Sequence, residues 1–106
     1  MDAKEQARYA ARAKVIKALA HPTRLFLVDR LARGEACVCQ LTELVGADVS
    51  TVSKHLSVLK HAGIVADERR GSQVFYTLKQ PCVLSFLGCI EAVVAEAAKD
   101  QLACVR

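Results

Sequence analysis

Between Asp48 and Gly63 the apolar residues Val52, Leu56 and Leu59 recur at helical spacing, while Ser50, Lys54, Ser57 and His61 fall on the opposite side and Ser53 on the flank. At about 100° per residue this pattern predicts one helix with an apolar rail and a small-polar, basic outer face. Asp48 is placed to cap its first turn, and Gly63 stands where a left-handed C-terminal stop belongs. No residue of the outer face is bulky, so the helix can enter a DNA major groove and hydrogen-bond to base edges and phosphates. The plainer alternative is a solvated face.

The flanking patterns favour the DNA reading. Ala36 to Val45 predicts a short helix with Leu41, Leu44 and Val45 as its apolar positions, followed by a turn at Gly46-Ala47, and with the next helix this is a helix-turn-helix layout. Ile64 to Arg69 and Val74 to Leu78 are β-rich runs around Arg70-Gly71-Ser72, a hairpin signal, with Val65, Val74, Tyr76 and Leu78 as inner positions. Such a hairpin is a wing whose tip carries Arg69 and Arg70. Lys4 to Leu19 predicts an alanine-rich amphipathic helix with Ala7, Ala11, Val15, Ala18 and Leu19 on or near one stripe. Pro22 opens a second helix, to about Arg33, with Leu25, Val28 and Leu31 inward and Gly34 as its stop. Pro81 opens the last, to about Ala103, on which Val83, Leu87, Ile90, Val94 and Ala97 keep a period near that of a helix seam. The expected fold is mainly α with a small β-hairpin (α+β): a winged helix-turn-helix forming a single domain over residues 1–106. Its first and last helices are the natural seam of a homodimer.

A chain of 106 residues can bury one core but leaves much surface exposed, which favours covering an apolar face with a second copy. Its longest uncharged run, Gln80 to Ile90, is interrupted by Pro81 and Gly88 and is too short to span a bilayer. The N-terminus, with Asp2, Lys4, Glu5 and Arg8, lacks an apolar signal core. A cytoplasmic protein with no membrane partner is therefore expected. Its 5 cysteines, an odd number, read as reduced thiols rather than a disulfide framework. The net charge of +4 permits nucleic-acid binding without demanding it.

The strings Ala20-His21-Pro22-Thr23-Arg24-Leu25, Ser50-Thr51-Val52-Ser53-Lys54-His55-Leu56 and Gly71-Ser72-Gln73-Val74-Phe75-Tyr76, in this element order, resemble the ArsR/SmtB family of metal-responsive repressors over essentially the whole chain. The resemblance implies a homodimeric repressor that holds double-stranded operator DNA, an imperfect inverted repeat, without any cofactor and leaves it when an inducer binds. It places Ser50, Ser53 and Lys54 at groove-facing positions and Arg70 and Gly71 at the wing tip. The DNA-binding candidates are thus Ser50, Thr51, Ser53, Lys54 and Ser57 of the helix and Arg69 and Arg70 of the wing.

Glu35-Ala36-Cys37-Val38-Cys39-Gln40-Leu41 is similar to the Cys-Val-Cys box of the arsenite-responsive and cadmium/lead-responsive branches. Independently of that likeness, thiolates are soft ligands that prefer soft ions and metalloids to magnesium or calcium. Cys37 and Cys39 are therefore the candidate ligands for As(III) or Sb(III), against the alternative of two small buried apolar residues. On a regular helix residues two apart lie about 200° apart, so both sulfurs would face one ion only if the first turn unwound. That turn begins the helix-turn-helix, and unwinding it would move the recognition helix. The arsenite branch often carries a third cysteine three residues after the second, where this chain has Thr42. The third donor is open among Cys82, Cys89, Cys104 and a small external ligand.

Other chemistries are weaker. The zinc and cobalt sensors of the family use histidines on the last helix, and none occurs from Pro81 to Arg106. The cadmium/lead branch adds N-terminal cysteines, whereas the first cysteine here is Cys37, which ranks those ions second. Persulfide-sensing relatives pair cysteines on the second and last helices; Val28 and Asp29 lie in the second-helix region, and no cysteine does. A thiol redox switch remains an alternative. His55 reads as a structural or phosphate-contacting residue rather than a metal ligand. A thiol enzyme would need a phosphate-cradling loop or a strand-to-helix Cys-X-X-Cys, and neither occurs, so the chain is not expected to be an enzyme.

Overall fold

The computed structural model describes the backbone of residues 1–105 and the side chains of residues 1–102. The elements run α1 (Ala3–Leu19), α2 (Pro22–Leu31), β1 (Ala36–Cys37), α3 (Val38–Val45), α4 (Val49–His61), β2 (Val65–Arg70), β3 (Gln73–Leu78) and α5 (Val83–Val105). Side-chain caps start α1, α2 and α4, that of α4 being the Asp48 the sequence points to. The Asp2 carboxylate accepts the Glu5 N–H at 2.8 Å, His21 Nδ1 accepts the Thr23 N–H at 3.1 Å, and Asp48 accepts the Thr51 N–H at 2.8 Å. Gly46 closes α3 at φ 77°, a left-handed conformation that turns the chain between the two helices at no side-chain cost.

The wing is an antiparallel hairpin in register Val65↔Leu78 to Arg70↔Gln73, and its tip is the pair Gly71-Ser72, with Gly71 at φ 64°. A third strand joins it. Ala36 and Cys37, expected as the first residues of a helix, form β1 and pair with Tyr76 and Phe75, so the sheet order is β1-β3-β2. Both residues are buried beside β3, whose free edge satisfies their backbone groups. Two smaller differences concern helix ends. The second helix ends at Leu31 rather than Arg33, because Arg33 and Gly34 turn back onto the carbonyls of Arg30 and Leu31. The last begins at Val83, after a turn in which the Val83 N–H bonds the Gln80 carbonyl at 3.1 Å.

Leu27, Val28, Leu41, Val52, Leu56, Leu59 and Val65 are the fully enclosed centre of the core. The rail of α4 is therefore its buried face, as its spacing predicts. On α2 the inward face is Leu27, Val28 and Leu31, with Leu25 only half-buried. The stripe of α1 is covered only at Ala18 and Leu19, leaving Tyr9, Val15 and Ile16 exposed. On α5, Val83, Leu84 and Leu87 pack on the core, whereas Phe86, Ile90, Val93, Val94 and Leu102 face outward. Among the described residues no helix is long and apolar enough to cross a membrane.

Candidate nucleic-acid interface and thiol site

α4 buries Val52, Leu56 and Leu59 and leaves Ser50, Thr51, Lys54, Ser57 and His61 exposed on its far side, with Ser53 half-buried on the flank toward the wing. The Asp48 carboxylate that caps the helix also accepts the Ser50 hydroxyl at 3.2 Å, and donation from Thr51 first, then from Ser50, holds it below the usual carboxylate range. Ser50 therefore has its proton engaged and turns only acceptor lone pairs outward, which suit a donor such as a base amino group and not a phosphate oxygen. Lys60, in the last turn, pairs with Asp67 of β2 at 3.0 Å and ties the helix to the wing.

Arg24 fixes the other side of α4. Its Nε donates to the Ala18 carbonyl at 2.6 Å, one terminal nitrogen to the Lys17 carbonyl at 3.4 Å, and the other meets His55 Nδ1 at 3.2 Å. The His55 ring lies 4.3 Å from that of His21. Partial burial, then the neighbouring His21 and Arg24, lower the His55 pKa and favour neutral imidazole. His55 is thus a structural bolt joining the end of α1, the start of α2 and the middle of α4, and Arg24, which sequence reasoning passed over, is its centre.

The two wing-tip arginines differ. Arg70 makes a two-pronged ion pair with Glu35 at 2.7 and 2.9 Å, meets Glu68 at 3.1 Å and lies over the Phe75 ring at 4.6 Å. The Arg70 hydrogen bonds hold the Glu35 carboxyl below its ordinary pKa. Arg69 makes one internal contact, to the Gly71 carbonyl at 3.4 Å, and leaves most of its guanidinium donors for a phosphate. The Glu35–Arg70 pair lies between residues 35 apart in the chain and had no short-range signal.

The thiols are arranged differently from a regular helix. Cys37 is the N-cap of α3, with extended backbone at φ −81° and ψ 159°, and only Cys39 lies inside the helix. The two sulfurs consequently converge to 2.8 Å. No unwinding is needed to bring them to one ion, which corrects the expectation drawn from an uninterrupted helix. Gln40 completes the cap: its backbone N–H donates to Cys37 Sγ at 3.4 Å and its side-chain carbonyl accepts the Cys37 N–H at 3.0 Å. This is a capping box with a thiol in place of a hydroxyl, and Cys37-x-x-Gln40 is its sequence signature. Donation from the Cys39 thiol and the Gln40 N–H pulls the Cys37 pKa down, while its neighbour pushes that of Cys39 up. Of the two, Cys37 is therefore the more acidic thiol and Cys39 the less.

Both sulfurs line a cleft of about 300 Å³ whose other walls are Val49 and Ser53 of α4 and Ser72, Gln73 and Val74 of the wing. The site thus touches both DNA-reading elements. Neither Cys82, in the turn before α5, nor Cys89, on α5, reaches it. Cys82 lines a separate groove between α1 and α5, Cys89 is exposed, and no cluster of three or more His, Cys, Asp or Glu side chains forms among the described residues. The Cys104 side chain lies outside the described residues.

Residues 21–67 match the bacterial regulatory protein family arsR. The arsenic resistance transcriptional regulator ArsR1 of Pseudomonas putida is 43% identical over 65 residues, covering 60% of this chain and 51% of that protein. The crystal structure of the transcriptional repressor BigR from Xylella fastidiosa superposes with a TM-score of 0.71 at 32% identity, covering 88% of this chain and 96% of that one. The homodimeric winged helix-turn-helix DNA-binding domain Mb0332 of Mycobacterium bovis, a possible ArsR-family regulator, has a TM-score of 0.79 at 29% identity, covering 94% and 93%.

Proposed function

Because the chain belongs to the ArsR/SmtB family of transcriptional repressors, DNA-binding proteins rather than enzymes, we propose that it holds operator DNA as a homodimer and releases it when As(III) or Sb(III) binds Cys37 and Cys39. The observation that carries this reading is the 2.8 Å convergence of two thiols inside a cleft shared by α4 and the wing. Soft, thiophilic metalloids match that donor pair. A small external ligand such as hydroxide supplies the third position, in keeping with the lack of a third clustered donor among the described residues. A metalloid seated there takes up the space between Ser53 and Ser72 and shifts the helix relative to the wing, so the two no longer fit one stretch of duplex.

Two features support the dimer. The exposed apolar faces of α1 and α5 need covering, and the radius of gyration of 16.6 Å exceeds the roughly 13 Å of a compact chain this long. Two recognition helices then address half-sites about 34–36 Å apart on an imperfect inverted repeat. Such a repressor works in the cytoplasm, where the thiols stay reduced.

The test is fluorescence anisotropy on duplexes from the protein's own promoter region, titrated with arsenite, antimonite, cadmium, lead and zinc. Tight apo binding with release by arsenite or antimonite at the lowest concentrations is expected. No apo binding would overturn the repressor reading; cadmium or lead acting first would replace the inducer. The same sulfur convergence also favours a redox reading, in which the two thiols give two electrons and two protons to a peroxide, forming a disulfide and two waters. Release by peroxide without metalloid would select it.

A further inference from the structure

A groove of about 370 Å³ runs between α1 and α4, walled by Lys14, Lys17 and Ala18 on one side and Ser57, Val58 and His61 on the other. Ser57 and His61 belong to the exposed face of the recognition helix, so this groove is the border of that face. The opposite border is the wing, joined through Lys60 and Asp67. The DNA-reading face therefore lies between two ridges, and one of them is α1.

That ridge is basic and rigidly placed. From Gln6 to Val28 the chain carries Arg8, Arg12, Lys14, Lys17 and Arg24 and no acidic residue. Lys14 and Lys17 are exposed, and no carboxylate among the described residues lies within ion-pair distance of either. The Arg24 bonds to the Lys17 and Ala18 carbonyls and to His55 fix this end of α1 against the middle of α4. At about 100° per residue, Lys14 and Lys17 share one side of α1, while Arg12, Val15 and Ile16 occupy the other and line the groove toward α5. A dimer seam on the Val15–Ile16 side leaves both lysines free.

We propose that Lys14 and Lys17 bind operator phosphates along the strand flanking the major groove that α4 enters, so that the protein grips the backbone on both sides, by the wing and by α1. An ammonium on a flexible stem suits a phosphate, and contacts of this kind set register and orientation rather than sequence choice. The proposal rests on the operator-binding reading above.

The experiment is operator anisotropy with the full chain at 50 to 300 mM salt, comparing wild type with Lys14→Gln, Lys17→Gln, the double variant and the Lys→Arg pair. A dimer loses two phosphate contacts per substitution, so the slope of log affinity against log salt should flatten by about 1.8 for each single variant, from about 0.9 per contact. The wild-type advantage over a single variant should then shrink about 12-fold between 50 and 200 mM salt. Operator-to-scrambled-duplex preference and the sedimentation-measured dimer should not change, and Lys→Arg should keep the wild-type slope. Wild-type slopes in the Gln variants would overturn the proposal and leave the repressor reading standing. A wild-type protein that binds no duplex would overturn both.

Discussion

Cys37 holds two roles that can be separated by choice of substitution. Its sulfur caps α3 by accepting the Gln40 N–H at 3.4 Å, and it forms half of the 2.8 Å thiol pair. Serine keeps the cap, since its hydroxyl ranks among the strongest N-cap acceptors, whereas alanine removes it at a cost of about 0.5–2 kcal/mol. The long sulfur contact places the loss near the lower end. For a domain of this size each 1 kcal/mol corresponds to roughly 4–8 °C in Tm, so Cys37→Ala should melt about 3–8 °C below wild type and Cys37→Ser within a degree or two of it. Both should bind operator, and both should ignore arsenite. Allosteric coupling of the usual size, about 1–3 kcal/mol, means that wild type loses about 5- to 150-fold in operator affinity on induction, and operator weakens metalloid binding by the same factor. The assay is paired: thermal melts for the cap, anisotropy with and without arsenite for the switch. A Cys37→Ser, Cys39→Ser double variant that still leaves DNA at the wild-type arsenite concentration would refute the thiol-pair mechanism.

Because the folded chain keeps His55 neutral while the unfolded chain takes up a proton near pH 6.5, stability is fully present above that pH and falls as the solution is acidified through the lower folded pKa. Urea melts from pH 7.5 to 5 should show this loss, and His55→Gln should show a shallower one; equal slopes would remove His55 as the cause. Glu35→Gln frees Arg70 from its strongest partner, which should raise non-specific duplex affinity at low salt while changing Tm little, as expected of an exposed pair worth about 0–1 kcal/mol. Ile90→Glu, on the exposed face of α5, should yield monomers in sedimentation and weaken operator binding at least tenfold; a dimer unaffected by it would move the seam elsewhere.

Where local spacing decides the structure, the sequence alone was enough to read it. The Val52-Leu56-Leu59 rail is wholly buried, Asp48 caps α4, and the wing forms around Gly71. These depend on side-chain periodicity, a cap and a turn, all short-range signals. What escaped depends on partners far along the chain. Ala36 and Cys37 look helical by pattern, but Tyr76 and Phe75 of β3 offer them a strand edge, and tertiary pairing overrides helix preference for so short a segment. The thiol geometry has the same origin: with Cys37 held in β1, the 200° separation of a regular helix does not apply to it. The Glu35–Arg70 pair and the Arg24–His55 bolt join residues 35 and 31 positions apart and had no local signature. Within one chain Cys82 and Cys89 lie away from the cleft that holds Cys37 and Cys39, because α5 packs on the core through Val83, Leu84 and Leu87 and not on the wing.

The strand that upset the helical reading also gives the thiol site its leverage. Cys37 is at once the last residue of β1, paired with Phe75 of the wing strand, and the cap of α3, the helix that packs on α4. Two residues earlier in the chain, Glu35 holds Arg70 at the end of β2. A ligand that displaces the Cys37 sulfur by even a fraction of an ångström must therefore strain the Gln40 cap, the β1–β3 pairing and the Glu35–Arg70 clamp together. Packed interiors pass such small displacements on rather than absorb them. Had Cys37 lain within a continuous helix, inducer binding would have required melting a turn first. At a strand-to-helix junction the two sulfurs are already convergent, so in the proposed mechanism the free energy of metalloid binding would go into moving the wing against α4.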